Sequence, residues 1–157
     1  MADLQTQVER TLDGFVESAR VFAGLQMYRS ALKYEVLPPP HKPGRLPPGK
    51  RAVIAFYWPK GERFLLVGLV GPNSEPRFIS QHYRPSSARA GLAHRLVAHQ
   101  RMLGLSGLTP ATVGPWMKAN LARINIFLPA GMKDEARLLR DYLAERWSPV
   151  FPPGARL

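Results

Sequence analysis

The residues of this chain best suited to chemistry are cationic, and they are gathered in one stretch. From Pro76 to Lys133 there is no Asp or Glu, whereas Arg77, Arg84, Arg89, Arg95, Arg101, Lys118, Arg123 and Lys133 all lie there, with His82, His94 and His99. The 157 residues carry a formal charge of +11. The excess comes from residues 36–133, where Glu62 and Glu75 are the only acids. A field of one sign over such a length raises the local concentration of polyanions and speeds their approach. It predicts nucleic acid as the partner, DNA ahead of RNA, held through Arg77, His82, Arg84, Arg89, Arg95, Lys118 and Arg123. Acidic proteins and anionic membrane surfaces rank behind it, as does a basic face that is merely solvated.

Other chemistries lack their residues. The chain has no cysteine, which excludes disulfides, thiolate zinc sites and a cysteine nucleophile. There is no phosphate-cradling Gly-Lys-Ser loop, no HExxH and no paired-carboxylate motif. His94 and His99 are five apart, off the i, i+4 spacing of a helical metal pair. No apolar stretch approaches the roughly 18 residues of a membrane span, so no membrane is expected among the partners. The acidic and polar start, MADLQTQVERTLDGF, does not read as a signal peptide, and a cytoplasmic protein is expected.

The elements that must position these groups follow from periodicity. Leu4, Val8, Leu12, Phe15, Ala19 and Phe22 recur at three and four, predicting a helix over residues 3–33 with Gly24 as a candidate break. Its apolar stripe is expected to pack on its own domain, a protein partner or a second copy of the chain being the alternative. Residues 38–49, PPPHKPGRLPPG, exclude helix and strand and read as a stiff linker. Strands are predicted over Arg51–Trp58, Arg63–Val70 and Ala122–Leu128, the first two joined by a Pro59–Glu62 turn. GPNSEPR reads as a loop. A helix capped by Ser86 or Ser87 runs to about Leu103, a short one lies around Pro115–Ala119, and another covers Met132–Trp147 up to Ser148-Pro149. The expected organisation is a helical arm (1–35), a proline-rich linker (36–50) and one domain (51–157).

The local words extend this pattern. VGLVGPNSEPRFISQHYRPSSARAGLA over Val67–Ala93, and later WMKANLARINIFL with a helix ending before SPVF, resemble a subgroup of the GIY-YIG nucleases marked by GPNS and SQHY. The resemblance covers roughly residues 51–152. It implies an α+β fold: a small three-stranded antiparallel sheet flanked by helices, here preceded by the N-terminal helical arm. In active members a tyrosine on each of the first two strands orders the water and the metal. An arginine stabilises charge on the phosphorane, a histidine or tyrosine moves a proton, and a glutamate on a later helix binds a divalent cation.

Arg77 and His82 stand at the matching arginine and histidine positions and are the candidate catalytic pair; Gly68 stands at the glycine of the second motif. The other positions depart from the family. Ile54 and Leu66 occupy the tyrosine positions, and Leu69 replaces a common lysine. Arg140 falls where the metal-binding glutamate should be, and a guanidinium repels a divalent cation. The nearest acids are Glu135 and Asp141, the latter about 100° round the helix from Arg140. The resemblance therefore implies a nucleic-acid-binding module that has lost cleavage and needs no metal or other cofactor. It would fit a subunit of a larger nucleoprotein or defence complex. A working endonuclease, requiring Mg²⁺ or Mn²⁺, is one alternative; a scaffold subunit binding protein through the arm is another. Arg140 itself would be a cation mimicking the metal toward phosphate, or an ordinary solvent-facing arginine. Asn73 and Ser74 are expected to shape a turn. Gln81 and Tyr83 are expected to line the groove or, for Tyr83, the core. Tyr57, Trp58, Trp116 and Trp147 are expected to be core more often than base-stacking platforms.

Overall fold

The computed structural model of the chain describes residues 2–86 and 91–153. It is an α+β fold in which an open, four-stranded antiparallel sheet lies between two helical layers. The elements run α1 (Ala2–Phe22), β1 (Lys33–Leu37), β2 (Lys50–Trp58), β3 (Arg63–Val70), α2 (Glu75–Ile79), α3 (Leu92–His99), α4 (Val113–Asn120), β4 (Ala122–Pro129) and α5 (Lys133–Trp147). Short 3₁₀ turns at Arg29–Ala31, Gln81–Tyr83 and Gln100–Leu103 join them. The strand order is β1-β4-β2-β3.

The expected three-stranded sheet is therefore corrected to four strands, the extra one being β1. Lys33–Leu37 pairs antiparallel with β4, from Lys33 opposite Phe127 to Leu37 opposite Arg123. The helix predicted over 3–33 ends at Phe22. Gly24, at φ +62°, takes the left-handed conformation open to glycine. It lets the Leu25 N–H turn back onto the Ala19 carbonyl at 3.2 Å, closing the last turn.

The pleat sorts β2 and β4 onto two cores. Val53, Ala55, Ile124, Ile126 and Leu128 face one layer, formed by α1 and α5. Ala52, Ile54 and Phe56 face the other, formed by α2, α3 and α4. The α1 stripe of Leu4, Val8, Leu12, Phe15 and Ala19 is buried against Leu139, Leu143 and Trp147 of α5. Each of its larger side chains, Leu4, Val8, Leu12 and Phe15, contributes about 1.5–3 kcal/mol by leaving water. Arg29 adds ion pairs to Glu9 at 3.0 Å and Asp13 at 3.1 Å, fastening the helix to the segment that enters β1. Leu46 and His41, in the proline-rich segment, are both buried against the second core.

GPNSEPR is more ordered than a loop. Ser74 leads into the single helical turn of α2, which places Phe78 in the core and leaves Arg77 on the surface. Helix α3 begins at Leu92 rather than at Ser86. The cap candidate Ser87 lies outside the described residues. Beyond α5, the chain returns to the β3 edge: the Val150 and Phe151 N–H groups donate to the Phe64 and Leu65 carbonyls at 3.0 and 2.9 Å. This covers the first half of an otherwise open edge and leaves its second half, Val67–Leu69, beside a recess.

Candidate functional site

That recess is a cavity of about 200 Å³ lined by Arg77, His82, Arg95 and Arg140, with Gln81, Gly91 and Pro153. Its wall on the sheet side is the β3 segment Leu66–Leu69. The four charge-bearing or polar groups arrive from separate elements. Arg77 comes from α2, His82 from the 3₁₀ turn after it, the half-buried Arg95 from α3, and Arg140 from α5 in the opposite layer. Arg140 meets the others because the cavity lies at the β3 edge, where the two helical layers approach each other.

His82 is fixed in one chemical form. It is buried and packs at a tilt against Phe56, with ring centroids 5.7 Å apart and the planes at 57°. The Leu92 N–H donates to its Nδ1 at 3.3 Å, so the neutral ring carries its proton on Nε2. A Cβ added at Gly68 would lie 3.8 Å from that Nε2; glycine here keeps the imidazole edge open to the cavity. Burial, and then the positive fields of Arg123, Arg77 and Arg95, push its pKa down to about 3. At neutral pH it is a hydrogen-bond donor through Nε2–H, too weak a base to accept a proton and without the extra proton an acid would give.

The arginines differ in how they are held. Arg77 is exposed, with one long hydrogen bond from Nε to Gln81 Oε1 at 3.5 Å. Arg140 is oriented by its neighbour: Nε donates to Asp141 Oδ1 at 2.9 Å. Asp141 is exposed and does not line the cavity. Arg95 lies over the Phe151 ring at 5.9 Å, and its Nη1 is a buried donor with no acceptor among the described residues. A buried orphan N–H of a charged group costs on the order of 1–3 kcal/mol unless something accepts it. Among the described residues no acid lines the cavity. Among the described residues no group of three or more His, Cys, Asp or Glu is placed to hold a metal ion. The arrangement can therefore bind and polarise an anion, with three guanidinium groups and one neutral N–H donor converging on it.

The remaining candidates lie elsewhere. Arg123, expected on the polyanion face, is fully buried on the inner face of β4. Its Nε donates to Asn125 Oδ1 at 2.8 Å, Nη1 to Tyr83 Oη at 3.1 Å, and Nη2 to the Phe78 carbonyl. Its guanidinium carbon lies 4.5 Å from the Phe78 ring centre. The network continues outward through Asn125 Nδ2 to Glu35 at 2.9 Å. In the other direction Tyr83 Oη bonds His41 Nε2 at 2.7 Å, and His41 Nδ1 donates to the Leu121 carbonyl at 2.7 Å. With all its donors turned inward, Arg123 is a core residue that pins β4 to the Gln81–Tyr83 turn, and no phosphate can reach it.

Arg84 is exposed in a separate groove with His94, Ser86 and Pro110. Lys118 is exposed on α4, its Nζ 5.3 Å from the Tyr83 ring centre. Arg89 lies outside the described residues. Of the aromatic candidates, Trp147 stacks on Phe64 with ring centroids 4.3 Å apart, and Trp58 packs against Trp116 at 6.1 Å. Tyr57 packs against Phe64 at 4.8 Å. All are engaged in the fold.

Sequence reasoning missed the Arg123 network, although a signal for it existed. In ARINIFL, Arg123 and Asn125 share one parity, so both must fall on the same sheet face. It also missed Arg95 as a partner of Arg77, since nothing local reports that α3 brings Arg95 to the cavity at the β3 edge. No described helix is long and apolar enough to cross a membrane. No family model, no curated protein and no solved structure matches the chain.

Proposed function

We propose that the chain is a nucleic-acid-binding domain with a GIY-YIG nuclease-like fold that has lost cleavage, acting within a larger nucleoprotein or defence assembly. The observation that carries this reading is the cavity at the β3 edge, in which Arg77, His82, Arg95 and Arg140 meet with no acid among the described residues. Bidentate guanidinium groups suit phosphate oxygens. The neutral Nε2–H of His82 adds a donor without adding charge. The nuclease-like positions support the same reading: Arg77, His82 and Gly68, assigned from sequence words alone, line one cavity, and Arg140 lines it too. A guanidinium there satisfies the charge of a phosphodiester and repels the cation that hydrolysis would require. His82, at a pKa of about 3, supplies no proton acceptor near neutrality. Arg84 and Lys118, outside the cavity, would give diffuse contacts to neighbouring phosphates.

The test is retention and cleavage measured on the same molecules. Labelled DNA and RNA, single- and double-stranded, are incubated with the chain at low salt, first with a chelator and then with Mg²⁺ or Mn²⁺. Binding that weakens with salt, and full-length product after metal addition, is the expected result. Metal-dependent cutting abolished by Arg77→Ala would replace this reading with a working endonuclease. Absence of any binding at low salt would end it.

A further inference from the structure

The cavity has more positive charge and more donors than one backbone phosphate uses. Among the described residues Arg77, Arg95 and Arg140 bring three positive charges, of which only Arg140 is offset by an adjacent carboxylate, Asp141 at 2.9 Å. An internal phosphodiester carries one negative charge and two non-bridging oxygens. A phosphomonoester carries about −1.5 to −2 at neutral pH and three terminal oxygens. The larger anion matches the residual charge, and its extra oxygen gives the surrounding guanidinium groups a further acceptor. Shape points the same way. At about 200 Å³ the cavity is smaller than the roughly 300–1,000 Å³ of sites that enclose a whole ligand. It suits a phosphate with the first carbons attached to it. Its walls come from both helical layers and from Pro153 after the covering strand segment.

We propose that the site selects a phosphomonoester dianion, the terminal phosphate of a nucleic-acid strand, over an internal diester. This rests on the proposed nucleic-acid function and narrows it. A free nucleotide presents the same group, so the test separates the two sources. One short single strand is prepared with a 5′-phosphate, a 3′-phosphate or hydroxyls at both ends, and its binding is read by fluorescence anisotropy. Inorganic phosphate and adenosine monophosphate serve as competitors.

The inference predicts that one of the phosphorylated strands binds at least about tenfold more tightly than the hydroxyl form. It predicts that Arg77→Ala and Arg95→Ala each remove most of that advantage, in proteins whose circular dichroism is unchanged. Competition by adenosine monophosphate at concentrations below the strand's own would assign the site to nucleotides and overturn the strand-end assignment. Equal affinity for all three strands, weakened equally by both variants, would overturn the inference and leave nucleic-acid binding standing. Failure of every strand to bind at low salt would remove the parent reading instead.

Discussion

Acid should destabilise this fold through His82, by an amount the structure allows to be worked out. The ring is buried and neutral, with its pKa pushed down to about 3, whereas in the unfolded chain it titrates near 6.5. Above pH 6.5 both states are neutral and His82 contributes no pH dependence. As pH falls below 6.5 the unfolded state takes up a proton that the folded state refuses. Stability is lost, and the loss continues until the folded pKa is reached. Between pH 7 and pH 5 the linkage amounts to about 2 kcal/mol for this one group. His41, whose pKa is also lowered by burial, acts in the same direction. Carboxylates titrate mostly below this window. The assay is urea denaturation at half-unit pH steps, comparing the wild type with His82→Asn. Asn offers Oδ1 to the Leu92 N–H in place of Nδ1 and does not titrate. The variant's absolute stability will differ because its side chain is smaller, but its pH slope is the readout. A slope shallower by about 2 kcal/mol across the window is expected. Identical slopes would mean that His82 is accessible and protonatable in the folded protein, and its role as a fixed neutral donor would fall.

Three further outcomes follow from the same geometry. Arg123→Met keeps the bulk but removes the donors to Asn125 Oδ1 and the Phe78 carbonyl. It should cost about 3 kcal/mol in urea denaturation, two orphaned acceptors less the recovered desolvation of the charge; a change below about 1 kcal/mol would show the network to be dispensable. Gly68→Val should leave the strand stable while covering His82 Nε2, so nucleic-acid affinity falls about tenfold at unchanged melting temperature; unaltered affinity would move the binding site elsewhere. Asp141→Asn frees Arg140 from its carboxylate partner and should tighten binding at low salt, whereas a loss of binding would show that orientation of Arg140 matters more than its charge.

Much of this architecture was legible in the sequence. The strands β2, β3 and β4 appear within a residue of their expected ends because their apolar residues run or alternate between recognisable turns. Helix α5 was set by Ser148-Pro149. Strand β1 was not legible. Only Tyr34 and Val36 alternate with Lys33 and Glu35, which is too short a period-two signal beside a long helical one. Its existence depends on pairing with β4, distant in sequence. Helix α2 was missed for a similar reason: five residues containing a proline form a helix only when Phe78 is anchored in the core. In the site, Arg77, His82, Gly68 and Arg140 were singled out from their sequence context. The separation of Arg123 from them was not, because charge composition does not say which side of a strand a cation faces. A basic stretch thus divides in the fold into a cavity, a groove and a buried strut.

The most direct measurement of the central claim is the salt dependence of nucleic-acid binding by the wild type and by Arg77→Ala/Arg95→Ala/Arg140→Ala. Plotted as log affinity against log salt on a single strand, the wild type should be weakened by salt. The triple variant should be weaker and its slope shallower by about 0.7, the counterion released at the one phosphate that the three arginines share. Parallel lines of equal height would contradict the account, placing the phosphate contacts on other cations and leaving this cavity without the role assigned to it.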